Sequence, residues 1–347
     1  MNKRSPLFFT IFITLLCIFG LNQCEMMDDM KKMKAPKFET GARSTAQTCK
    51  TCHGEIYAQW QNRSRHAVAK SSESYNNFLH KFENNTMLNS MMGTQMCVSC
   101  HGPDENGVDC ETCHGTASPE EEIMQVHKDK FSPNLSNLKS ESFCANCHSI
   151  KNPMSGDYMV NTYNDWKNSP AAKSGKTCQN CHMSKADSGL SSHGFKTTVR
   201  NIDLYKNRIT IDHVQVDLKK VSLQIHNLVS GHYIPAGGPT RVLALQIEYL
   251  DHQGKVIHTD VEKFNREFSL MFGLMPKKLL SDSRLKPNET RTITFDISET
   301  IQSELSEIRI ILNQYEVSDE HKGDIDKAHW KSSDIVDIYK RITKKEN

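Results

Sequence analysis

Ten of the twelve cysteines in this 347-residue chain fall into five copies of one pattern: two cysteines separated by two residues, followed at once by a histidine. The copies are Cys49-Lys50-Thr51-Cys52-His53, Cys97-Val98-Ser99-Cys100-His101, Cys110-Glu111-Thr112-Cys113-His114, Cys144-Ala145-Asn146-Cys147-His148 and Cys178-Gln179-Asn180-Cys181-His182. A Cys-x-x-Cys pair alone could be half of a zinc site or a redox dithiol. Neither requires histidine directly after every second cysteine. Covalent attachment of haem c does: two thiols three residues apart can form thioethers with the vinyl groups of one porphyrin, and the adjoining histidine then ligates the iron. The pattern predicts five covalent haems, with His53, His101, His114, His148 and His182 as proximal iron ligands. It leaves no cysteine of this region for a disulfide.

Each iron then has a second axial position. A second protein ligand makes an electron carrier, and an open position admits a small molecule. Sixteen histidines are present, so eleven remain beyond the five motifs. His66, His193, His127, His232 and His80 are the candidate distal ligands. His66 follows Trp60 and Ser64, His193 follows the fifth motif, and His232 lies in a turn-rich loop that could lean back on the haem region. His213, His226, His252, His258, His321 and His329 read as ordinary surface or strand positions. Met87, Met91, Met92, Met96 and Met183 crowd the second and fifth motifs, but adaptable packing around a flat cofactor is the better reading of them.

The elements around these residues divide the chain. Lys3 and Arg4 precede an apolar run, Leu7 to Leu21, of export-signal length and shorter than the roughly 20 residues of a spanning helix. Leu21-Asn22-Gln23-Cys24 resembles a lipobox, with Cys24 as the lipidated position and Gln23 in place of the usual small residue. We therefore expect an export signal over 1–24, a polar tether over 25–46 and a pentahaem cytochrome c domain of short helices and irregular chain over 47–204. Beyond it the reading is an all-β, sandwich-like domain over 205–320, then a mixed-charge tail with helical potential over 321–347. The β reading rests on alternation at Val214, Val216 and Leu218, at Val221, Leu223 and Ile225, at Ile293, Phe295 and Ile297, and at Ile308, Ile310 and Leu312, and on a β-prone run over 242–249. Hydrophobic residues make up only 37% of the chain. That is thin for this length and fits a core partly filled by porphyrin. With 43 basic and 41 acidic residues, no global charge calls for nucleic acid.

Certain motifs resemble a known group. Trp60…Ser64-Arg65-His66-Ala67, Cys100-His101-Gly102…Gly107-Val108-Asp109-Cys110, Thr177-Cys178…His182-Met183 and Ser192-His193-Gly194-Phe195 are similar to the multihaem cytochromes related to the tetrahaem cytochrome of ammonia oxidation and, more remotely, to hydroxylamine oxidoreductase. The resemblance covers roughly 47–200. It implies mostly bis-histidine haems, with His66 and His193 distal. A second copy of the tryptophan segment, Trp166…Ser169-Pro170-Ala171, lacks the histidine, so one haem depends on a distant ligand such as His232 or is open. The expected function is electron transfer between redox partner proteins in the periplasm or cell envelope. The alternative is an oxidoreductase with one open haem acting on a small nitrogen or sulfur compound.

Overall fold

The structure is a computed structural model that describes residues 46–70, 73–102, 106–114, 138–152, 154–185, 189–195, 208–217, 219–271, 273–315 and 340–343. The export segment, Cys24, the tether and His127 lie outside the described residues.

The first half is built of short helices, none longer than twelve residues among those described. They are α1 (Ala46–Lys50), α2 (Gly54–Arg63), a 3-10 turn (His66–Val68), α3 (Glu73–Asn84), α4 (Thr86–Met92), α5 (Gln95–His101), α6 (Cys110–His114) and α7 (Glu141–His148). A small ribbon follows, β1 (Ile150–Lys151) with β2 (Tyr158–Val160), and then α8 (Thr162–Lys167), α9 (Pro170–Lys173) and α10 (Cys178–His182). Isolated helices this short are unstable in water, so local caps and tertiary contacts must hold them. Ser140 accepts from the Ser142 N–H at the start of α7. Thr177 and Asn180 form a capping box on α10. In the same way the Asp109 carboxylate accepts from Thr112 N–H at 3.0 Å ahead of α6.

The second half is a β-sandwich. One sheet has the order β3 (Ile209–Val216), β4 (Lys220–Asn227), β9 (Thr290–Asp296). The other runs β11 (Lys340–Thr343), β10 (Glu307–Tyr315), β5 (Val242–Leu250), β6 (Val256–Phe264). All these pairings are antiparallel. Leu223 and Ile225 on one sheet, and Leu245, Ile247, Tyr249, Ile308, Ile310 and Leu312 on the other, share one core in which each is fully or almost fully buried. Leu245 stands opposite Leu312, and Ile247 opposite Ile310. Burying one such side chain contributes roughly 1.5–3 kcal/mol, so this eighteen-residue cluster supports itself. The cytochrome half has only small apolar clusters among the described residues: Ala46, Tyr57 and Trp60 form one. In the other, Phe82, Leu88 and Met159 meet Met271 and Met275 of the second half.

Two details depart from the sequence reading. The alternation at Val214 and Val216 is joined to a buried pair, Ile209 and Ile211, through a register shift between Asp212 and Gln215. His213 there has φ +48°, and the extra residue re-phases the strand so that odd and then even positions face inward. The tail, given helical potential by its sequence, places Lys340–Thr343 as an edge strand on β10. A further ribbon, β7 (Arg266–Met271) with β8 (Met275–Asp282), was not legible. It carries Pro276 and two register shifts, so its alternation is broken.

Candidate metal centres

A helix puts residues three and four apart on one face. In α6, α7 and α10 the two cysteines are three apart and the histidine comes one later, so all three project to the same side. In α5 the same triplet closes the helix. For the first motif, His53 N–H donates to Cys49 O at 2.9 Å, which continues the turn after α1. The ten cysteines are free of disulfides.

Three motif histidines face a histidine from elsewhere in the chain. His182 and His232 lie with ring centres 6.2 Å apart and planes 17° from parallel. His114 and His193 are also 6.2 Å apart, at 27°. The centres of His148 and His66 are 6.3 Å apart, at 69°. Direct ring stacking would bring centres closer, as in the Tyr75–His101 pair at 4.4 Å. One metal between two imidazoles, with metal–nitrogen bonds of about 2 Å and about 1 Å from each nitrogen to its ring centre, separates the centres by about 6 Å. The three pairs therefore fit an iron held from both faces.

The protonation chemistry agrees. A histidine ligand commonly donates its other N–H to a carbonyl, which fixes the tautomer. His193 Nδ1 lies 2.9 Å from Ser191 O, His232 Nδ1 3.0 Å from Tyr233 O, and His101 Nδ1 2.8 Å from Ala69 O. Each leaves Nε2 with its lone pair. Burial pulls His66 down to about 3, aided by the charges of His148 and His182. Burial also brings His148 and His232 to about 4, with His182 adding to both. Burial lowers His114, His193 and His101 as well. Neutral imidazole is the form that binds metal.

The candidate distal histidines are placed by a few specific contacts. Helix α2 positions two of them. Its C-cap Ser64 is fully buried and accepts from His66 N–H at 3.0 Å, while Gln59 accepts from His193 N–H at 3.0 Å. Trp60 donates its indole N–H to Val108 O at 2.9 Å, and Val108 N–H donates to His66 O at 3.0 Å. The edge of Phe195 packs 4.5 Å from His66 and 6.1 Å from His193. His232 arrives from the sandwich half, in a loop tied to α9 by Ala171 N–H donating to Ser230 O at 3.1 Å. Loop and helix also meet where Gly237 N–H donates to Thr162 Oγ1 of α8 at 3.2 Å.

The five motifs lie side by side. The sulfur of Cys49 is next to that of Cys110, Cys144 next to Cys178, and Cys147 next to Cys100. The first motif thus meets the third, the fourth meets the fifth, and the second meets the fourth. Cys113 and Cys144 are close enough for their charges to interact, which joins the third motif to the fourth. One contiguous cluster results.

The remaining candidates stand apart. His80 is exposed on α3 and lies 3.2 Å from Asn84 Nδ2, so no motif histidine is brought to it. An amphipathic helix turned this position to solvent. Met87 is 54% exposed, and the side chains of Met91, Met92 and Met96 lie outside the described residues. Tyr75, flat against His101, and Gln59, behind His193, gave no signal in sequence because their partners are 26 and 134 residues away.

Comparison with known proteins gives a family and a fold. A family model described as "Outer membrane cytochrome MtrC/MtrF-like, domains II/IV" matches residues 23–203. A solved structure, the penta-heme cytochrome c552 from Thermochromatium tepidum, is similar at 20% identity, covering 87% of this chain and 99% of that one with a TM-score of 0.65. It shares the fold. A β-glucosidase from Kluyveromyces marxianus, at 13% identity over 39% of this chain and 13% of that one, has a TM-score of 0.18 and carries no argument. No curated protein matches. Both informative matches agree with the motifs on a multihaem cytochrome, and neither speaks for a hydroxylamine-oxidoreductase-like relationship.

Proposed function

Because this chain belongs to the MtrC/MtrF-like outer-membrane cytochrome family, matched over just more than half its length, we propose that it is an exported pentahaem c-type cytochrome that relays electrons between redox partner proteins of the cell envelope. When bound, haem iron supplies one-electron exchange between ferrous and ferric states. The chain's own part is to hold, orient and shield. Cys49 and Cys52, Cys97 and Cys100, Cys110 and Cys113, Cys144 and Cys147, and Cys178 and Cys181 hold the five porphyrins. His53, His101, His114, His148 and His182 are the proximal ligands, and His66, His193 and His232 are distal ligands to the fourth, third and fifth irons. The observation that carries this reading is the triple recurrence of a motif histidine facing a remote one at 6.2–6.3 Å. Contact between motifs supports stepwise transfer along the cluster. We place the division between the cytochrome and β domains near residue 205 and assign Cys24 a lipid anchor.

A pyridine haemochrome assay checks the count, with five haems per chain expected. His193→Ala should convert one ferric iron from low to high spin by electron paramagnetic resonance in a folded protein. An unchanged spectrum would remove His193 from the ligand set. The second reading, an open iron that binds a small nitrogen or sulfur compound, is favoured at the second motif, where Tyr75 packs on His101 and His80 is turned to solvent; the first motif, with His53, is likewise assigned no distal ligand. A high-spin signal in the unaltered protein that shifts with added nitrite would favour it.

A further inference from the structure

The loop that carries His232 ends beside a buried ionic cluster for which electron transfer alone gives no reason. Arg284 is 3% exposed and Asp165, on α8, is 4% exposed. Arg284 Nη1 donates to Asp165 Oδ2 at 2.8 Å, while its Nε and Nη2 donate to Asp282 Oδ1 and Oδ2 at 2.9 and 2.8 Å. The guanidinium also lies 4.9 Å above the ring of Tyr233, the residue next to His232. One residue further along, Ile234 and Leu285 exchange a pair of backbone hydrogen bonds, both 2.9 Å. Arg284 therefore grips the His232 loop from its side-chain face, and its neighbour Leu285 grips the loop by the backbone. The same side chain reaches across to the cytochrome half.

A buried ion pair is a poor source of stability, because desolvation offsets the attraction and apolar side chains of equal volume serve as well. Geometry is what it supplies. A planar guanidinium that spans two carboxylates and an aromatic face allows one arrangement, and an ammonium group cannot reproduce it. The site of that arrangement is telling. Asp165 adjoins Trp166, which opens the second copy of the tryptophan segment. In the first copy, Trp60 and buried Ser64 lead into His66. In the second, Trp166 and buried Ser169 lead into Pro170 and Ala171, and Ala171 N–H donates instead to the carbonyl of Ser230, two residues before His232. The helix pair has kept the cradle and lost the ligand.

We infer that Arg284 and Asp165 form a positioning pair that docks the β domain on α8 and α9, so that His232 replaces the histidine missing from the second tryptophan segment and closes the fifth iron. This rests on the assignment of His182 and His232 to one iron. The β domain is then part of the fifth haem centre.

The test uses the full-length, haem-loaded protein in three variants: His232→Ala, Arg284→Lys and Asp165→Asn. All are checked first for five haems by pyridine haemochrome, and each is followed by electron paramagnetic resonance and by potentiometric titration of the Soret band. His232→Ala should turn one iron per chain high-spin. Arg284→Lys and Asp165→Asn should each do the same, with the other low-spin signals unmoved and the low-spin form restored by added imidazole. If His232→Ala gives the high-spin iron while Arg284→Lys and Asp165→Asn both leave spectrum and potentials as they were, the positioning pair is refuted and the ligand assignment stands. No change in His232→Ala would overturn the assignment itself. Should Arg284→Lys fail to fold, the near-isosteric Asp165→Asn carries the decision alone.

Discussion

At the scale of single residues, the angle between paired imidazoles makes a statement that a spectrum can check. Near-parallel ligand planes give a low-spin ferric iron a rhombic signal, and nearly perpendicular planes give a highly anisotropic one. The pairs His182–His232 and His114–His193, at 17° and 27°, should yield two rhombic signals. The pair His148–His66, at 69°, should yield one anisotropic signal, and His66→Ala should remove that signal alone. Protons supply a second check. An unfolded histidine takes its proton near pH 6.5, whereas burial holds His66 at about 3 and His148 and His232 at about 4. Folded-state pKa values below the unfolded ones mean that acid drives unfolding. Iron bound to the same rings competes with the proton and lowers them further, so the stability held by these three is complete above about pH 6.5 and drains away as the pH falls below it. The thermal midpoint, followed by circular dichroism, should be level from pH 8 to 7 and fall steadily below 6.5. A midpoint that rises on acidification would contradict the neutral, buried state of these rings. The five motif triplets stand out in the sequence, because haem attachment would fix three residues within five positions. The distal side was legible only as a set of candidates. Nothing local to His66 or His193 names its partner, and His80 carried the same residue type with the opposite orientation.

Elements show where local pattern ends and close approach begins. Strands β4, β9 and β10 could be read because their apolar residues alternate, and β5 because it is a β-prone apolar run, buried from Val242 through Leu245. The β7–β8 ribbon could not, since its shifts and Pro276 break the period. The short loop between α5 and α6 was legible as a sign of neighbouring motifs, but not as a device for holding His66. Gly102 and Gly107 both have positive φ, and a Cβ on Gly107 would stand 2.4 Å from His66 O. The backbone of this loop must pass so close that Val108 N–H can reach the same carbonyl. Gly107→Ala would combine a left-handed backbone with a clash that only movement of His66 relieves. We expect a loss on the order of 3 kcal/mol, read as a lower midpoint in urea or heat. The anisotropic signal assigned to His66 should broaden or disappear with it. Wild-type stability and an unchanged signal would mean that this loop does not set the position of His66.

For the whole molecule, the two halves behave as one body because backbone groups of the cytochrome half are satisfied by side chains of the β half. Arg266 is the clearest instance. Only 5% exposed, it donates to Tyr158 O at 2.9 Å, to Met159 O at 2.6 Å and to Gly237 O at 3.3 Å. It thereby ties the β1–β2 ribbon to the loop after His232. Burial, followed by the nearby charge of Arg284, lowers its pKa to about 10, so at neutral pH it remains a cation that faces carbonyls. Residues 107 or more positions apart meet here, and no pattern in the sequence announces such a contact. The two signs of its contribution can be weighed. Removing the guanidinium relieves the cost of a desolvated charge, but it leaves three carbonyls without their donor, each worth about 1–3 kcal/mol if dry. Water entering at the interface recovers part of that, so Arg266→Met, which keeps much of the volume, should cost about 2–4 kcal/mol. The form of the loss matters more than its size. In the unaltered protein the Soret band and the far-ultraviolet β signal should change together on heating. In Arg266→Met the β signal should be lost at one temperature and the Soret change follow at another, because one of the contacts that couple the halves is gone. Coincident transitions at an unshifted midpoint would show that the remaining contacts, Arg284 with Asp165 and Met271 and Met275 with Phe82 and Leu88, are enough to hold the molecule together without Arg266.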